Sequence, residues 1–67
     1  MQATTSSVET STVYVTSNSN TFRIWWNRQS CYWQTDIRDL RKSGNFYSYF
    51  GQAHSLIQAM TNVAITL

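Results

Sequence analysis

From Phe22 onward the chain alternates. Phe22, Ile24 and Trp26 fall on one side of an extended segment, with Arg23, Trp25 and Asn27 on the other. That period of two marks a half-buried strand. Gln29-Ser30 supplies a tight connection. A second run then places Cys31, Trp33, Thr35 and Ile37 on one face and Tyr32, Gln34, Asp36 and Arg38 on the opposite one. Arg41-Lys42-Ser43-Gly44-Asn45 has turn composition, because Gly44 and Asn45 tolerate positive φ. A third strand is expected over Phe46 to Phe50, with Phe46, Ser48 and Phe50 against Tyr47 and Tyr49. Upstream, Thr12-Val13-Tyr14-Val15-Thr16 is β-branched and aromatic, which leaves room for a fourth, N-terminal edge strand before the polar loop 17–20.

The period changes after Gly51. Ser55, with Gln58 three residues on, matches a capping box. Leu56, Ile57, Met60, Val63, Ala64 and Leu67 recur at helical spacing as one apolar stripe. The helix is expected to Ala64. Over 63–67, Val63, Ile65 and Leu67 also alternate as a strand does, so either conformation fits there. The expected fold is α+β, a three-stranded antiparallel sheet with or without the fourth edge strand, packed on one C-terminal helix. The core it implies is Phe22, Ile24, Trp26, Trp33, Ile37, Phe46 and Phe50 under the helix stripe. Residues 1–20 hold twelve Ser, Thr or Asn. Such a composition offsets little ordering entropy, so 1–11 reads as a disordered polar tail and 12–67 as one small domain.

Length sharpens this picture. A chain of 67 residues buries roughly 60% of its unfolded surface. Its single cysteine, Cys31, closes no internal disulfide, and one cysteine with one histidine, His54, builds no four-ligand zinc site. No metal or other cofactor is expected. The ten aromatic residues must therefore supply the core, a partner surface, or both. No run approaches the ~20 apolar residues of a membrane-spanning helix, and Met1-Gln2-Ala3-Thr4-Thr5 has neither part of a signal peptide. These features suggest a cytoplasmic setting, or a nuclear one in a eukaryote, with no membrane partner.

One short helix covers only one face of a sheet. The other face would carry Arg23, Trp25, Tyr32, Asp36, Arg38, Tyr47 and Tyr49, with Arg28, Arg41 and Lys42 in the flanking turns. Arginine pairs phosphate or guanine bidentately while planar rings stack, so duplex DNA is the first partner expected. Four arginines on that face and its turns imply a log–log salt slope of order −3 to −4. The same Trp, Tyr and Arg content also describes a protein hot spot. A small protein-binding regulator or inhibitor, or a homodimer formed through the uncovered face, is the alternative.

Catalysis has little support. Cys31 falls on the apolar parity of its strand, as a packed thiol would. His54 lies in a loop, and Asp36 and Asp39 point oppositely along a strand. Gly44 and Gly51 form no phosphate cradle. The chain is expected to be non-enzymatic, with no small-molecule substrate.

The stretch from Trp33 through Gly44, Trp-Gln-Thr-Asp-Ile-Arg-Asp-Leu-Arg-Lys-Ser-Gly, resembles the second strand and turn of the plant ethylene-response-factor (APETALA-type) DNA-binding domain. That family reads Trp-x-Ala-Glu-Ile-Arg-Asp-Pro-Arg-Lys-x-Gly there. Phe22-Arg23 sits at the spacing of its Tyr-Arg-Gly opening. The arm-binding domains of tyrosine integrases, which share that fold, are similar to the same degree. The resemblance implies a three-stranded sheet entering the major groove, with Arg23, Arg28 and Arg38 reading bases or contacting phosphates. Asp36 would replace a glutamate able to accept from a cytosine amino group. Ser30 stands where that family has a DNA-contacting tryptophan, and Trp26 where it has an arginine.

Overall fold

Among the described residues, four strands and one helix follow one another: β1 Val13–Thr16, β2 Asn20–Asn27, β3 Tyr32–Asp39, β4 Ser48–Ala53 and α1 Leu56–Thr66. The computed structural model describes residues 12–44 and 46–67, so the tail 1–11 lies outside the described residues. The strands form one antiparallel sheet in the order β1-β2-β3-β4, with α1 packed across one face. The N-terminal edge strand is thus present, and the fold is α+β.

Strand parity places the core. Val13 pairs with Ile24, Val15 with Phe22, Phe22 with Ile37 and Trp33 with Ala53. Phe22, Ile24, Ala53, Ala59 and Val63 are buried, and Val13, Val15, Trp33, Ile37, Phe50 and Leu56 pack around them. Phe22 meets the edge of Phe50 at 5.3 Å, within the range where edge-to-face aromatic pairs attract.

β4 contains a bulge. Thr35 faces Gly51 while Asp36 faces Tyr49, leaving Phe50 as the extra residue. A bulge shifts side-chain parity. Here it lets Phe50 and Gly51 share the helix side while Tyr49 turns to the other. Gly51 brings no side chain, and a cleft of about 260 Å³ opens there between α1 and β4, lined by Thr35, Phe50, Gly51, Gln52, Asn62 and Ile65.

Several expectations are corrected. Phe46 is not in the core: β4 begins at Ser48, and Phe46 is 82% exposed, its ring lying over Gly44. Trp26 is at the end of the sheet, 39% exposed, edge-on to Trp33 at 5.6 Å. Cys31 is exposed in the β2–β3 turn with φ 60. That turn is a four-residue loop in which Cys31 N–H donates to the Asn27 carbonyl, so Cys31 never enters the strand alternation. Ser55 does cap α1, accepting from Gln58 N at 3.1 Å, and the helix continues to Thr66. Its inward side is Leu56, Ala59 and Val63. Ile57, Met60, Ala64 and Leu67 face solvent, because a flat sheet accepts a stripe of roughly 100° and small Ala59 lets the helix settle on that arc.

Candidate functional site

The face opposite α1 is ordered in cross-strand rows. Asn27 lies beside Tyr32; Trp25 beside Gln34 and Gln52; Tyr14 beside Arg23, Asp36 and Tyr49; Thr16 beside Thr21 and Arg38. Cross-strand neighbours on one face sit close enough for their side chains to interact, and here they do.

Asp36 is the hub, with only 5% of its surface open. Its Oδ2 accepts from Arg23 Nη2 at 2.7 Å, Trp25 Nε1 at 2.8 Å and Arg23 Nε at 3.3 Å. Its Oδ1 accepts from Gln34 Nε2 at 2.8 Å. Burial alone pushes the Asp36 pKa up. The hydrogen bonds from Gln34, Arg23 and Trp25, with the Arg23 charge, outweigh it and hold the pKa below its ordinary 3.8.

The loop dictates the direction of this network. Asn27 Oδ1 accepts from the Gln29 and Ser30 backbone amides, an Asx turn. Its amide nitrogen is thereby free to donate, and does so to Gln34 Oε1 at 2.9 Å. Gln34 must then donate onward, to Asp36. A chain of amides that starts at a spent oxygen has to end on a group that only accepts, and a carboxylate is that group.

Three aromatic rings of this face are engaged. Trp25 donates to Asp36, Tyr32 packs on His54 with ring centroids 4.8 Å apart, and Tyr47 lies under the Arg23 guanidinium at 4.0 Å. A cation over a ring face is attracted to its quadrupole. Tyr14 and Tyr49 are 61% and 62% exposed, and among the described residues neither has a ring or cation partner. Of the expected site residues, Arg23, Trp25, Tyr32, Asp36, Arg38, Tyr47 and Tyr49 thus come together on one face. Arg28 sits in the β2–β3 turn at one end of the sheet. Arg41 and Lys42 follow β3 at the other end, where Asp39 Oδ1 accepts from Arg41 N and Nε. The Arg41 backbone hydrogen bond is the first cause of a lowered Asp39 pKa.

The expected edge strand gives Tyr14 no face of its own, and His54 is expected in a loop. Both join the open face, and the signal for Tyr14 was its alternation with Val13 and Val15. Arg38 Nε is enclosed and, among the described residues, has no hydrogen-bond partner. No cluster of three or more metal-ligating side chains occurs among the described residues, nor is any helix there long and apolar enough to cross a membrane.

The charges are unevenly placed along the chain. Residues 21–42 hold five cations against two carboxylates, and 43–67 hold no Asp, Glu, Lys or Arg at all. Against known proteins, the chain gives no significant match to any family model, curated protein or solved structure.

Proposed function

We propose that this chain is a non-enzymatic DNA-binding module that uses the open sheet face, Arg23, Trp25, Tyr32, Asp36, Arg38, Tyr47 and Tyr49, with Arg28, Arg41 and Lys42 at its ends. One observation carries the reading: exposed rings and guanidinium groups share a face that Asp36 organises from beneath. Pre-positioned groups lose little side-chain entropy on binding. The resemblance of Trp33 to Gly44 to a sheet-based DNA-binding domain points the same way.

The geometry changes the expected salt dependence. Arg23 is held by Asp36 and Arg41 by Asp39, which leaves Arg28, Arg38 and Lys42 for phosphates. Three contacts give a log–log slope near −2 for single strands and near −3 for duplex. Fluorescence polarisation with labelled DNA across a salt series reads it directly. Arg38→Ala should weaken binding by about 1–3 kcal/mol at a preferred site. Because Arg38 Nε is unpartnered among the described residues, the change should leave stability within about 0.5 kcal/mol. Salt-independent binding, or full affinity in Arg38→Ala, contradicts the proposal.

A second reading rests on one feature. Asp36 neutralises Arg23 at the centre of the face, and a near-neutral aromatic patch also suits a protein partner. Under that reading Trp25→Ala with Tyr49→Ala abolishes capture of the partner, and nucleic acid does not compete.

A further inference from the structure

We infer that the row Tyr14–Arg23–Asp36–Tyr49 takes unpaired bases, so the nucleic acid this face prefers is single-stranded. The inference rests on the DNA-binding reading and narrows it.

The argument starts from which rings are spoken for. Trp25, Tyr32 and Tyr47 are held by Asp36, His54 and Arg23, so they build the platform. Tyr14 and Tyr49 are the most exposed aromatics on the face. Register puts them in the same row, on the two edge strands, with Arg23 and Asp36 between them. Three strand spacings separate their backbones by about 14 Å.

A duplex has no base face to offer rings placed this way, since its bases are stacked at about 3.4 Å along each strand. An unpaired strand does, and base–aromatic stacking tolerates any sequence. The charge pattern agrees. Both Asp36 oxygens are taken up by Arg23, Trp25 and Gln34 of the face itself, and the residue is only 5% exposed, so it reads no base edge. Its pairing with Arg23 keeps the row from repelling phosphate. Arg38 lies one row away, opposite Thr21, where it can meet the phosphates between two stacked bases. A strand crossing β1 to β4 would thus meet a ring, a guanidinium and a second ring in turn. This departs from the groove-bound duplex that the family resemblance implies.

The test is polarisation of a fluorescein-labelled oligothymidylate of about 12 nucleotides, within the usual range of single-strand site sizes. A blunt mixed-sequence duplex of equal length is the comparison, and the full chain is used throughout. The oligothymidylate should bind at least tenfold tighter than the duplex. Tyr14→Ala and Tyr49→Ala should each weaken it roughly 5- to 150-fold. Tyr14→Phe and Tyr49→Phe should stay within about threefold, since the ring and not the hydroxyl does the stacking. Tighter duplex binding, or Tyr→Ala variants that bind oligothymidylate as well as the parent, overturns the single-strand assignment and leaves DNA binding standing. No binding of either probe at low salt overturns both. Far-UV circular dichroism of each variant, expected to superimpose on the parent because both side chains are exposed, separates lost contacts from lost fold. A tyrosine variant that weakens binding only by unfolding counts against the stacking role.

Discussion

Replacing Asp36 by Asn changes one oxygen to an NH2 group and leaves the shape unchanged. All four hydrogen bonds that reach this carboxylate come from donors: Arg23 twice, Trp25 and Gln34. An asparagine oxygen in the Oδ2 position keeps three of them but turns its own NH2 on Gln34 Nε2. Gln34 cannot flip in response, because its oxygen is held by Asn27, and Asn27 is held by the turn amides. The mismatch leaves a buried donor unsatisfied, at about 1–3 kcal/mol. Losing the charge also weakens the bonds from Arg23. Arg23 is about one-third exposed, so the full 3–5 kcal/mol for breaking a buried pair must be discounted toward the surface value of about 0–1 kcal/mol. The sum is roughly 1–4 kcal/mol. A single core of this size seldom supplies more than about 3–5 kcal/mol, so Asp36→Asn should remove a large part of the stability. Urea unfolding followed by tryptophan fluorescence measures it, and thermal melts should fall by at least about 4 °C. A loss below about 0.5 kcal/mol would refute the acceptor-only argument.

Acid gives an independent view of the same group. A carboxylate whose folded pKa is lowered contributes stability above its unfolded pKa, near 3.9, and loses it as pH falls through the folded value. The difference between parent and Asp36→Asn should therefore shrink below about pH 4. A gap of constant size down to about pH 2 would sink the idea. Gly51→Ala should stabilise by about 0.4–1 kcal/mol, since a Cβ there meets nothing within 4 Å, and denaturant midpoints will show it. Cys31→Gly should raise the midpoint modestly, by up to about 1 kcal/mol, by relieving the φ of 60 in a non-glycine residue. A lower midpoint would mean that the thiol contact to the Arg28 carbonyl, at 3.6 Å, outweighs the strain.

The alternation in β2 and β3 was enough to assign every side chain from Phe22 to Asn27 and from Tyr32 to Arg38 to its face, because a one-residue slip would have turned Phe22 and Ile24 to solvent. Ends and widths were harder to read. Alternation continued through Cys31 and Phe46 without showing that one belongs to a four-residue loop and the other to the approach to β4. The helical stripe was real but wider than the sheet beneath it, so Ile57, Met60, Ala64 and Leu67 were counted as core when Ala59 was doing their part. For the open face, its aromatic and arginine content was legible, as parity predicts. What joins them was not. Pairing of Arg23 with Asp36 depends on register across the β2–β3 turn, and composition does not set register. Tyr14 became a face residue only once β1 had paired with β2.

The most direct test of the face itself is an amide and indole chemical-shift titration of the isotope-labelled chain with oligothymidylate. The account predicts perturbation of Tyr14, Arg23, Asp36, Arg38 and Tyr49 and of the Trp25 indole N–H, with the outer side of α1 at Ile57, Met60 and Ile65 unmoved. Shifts centred on that helix, with the tyrosine row silent, would contradict it.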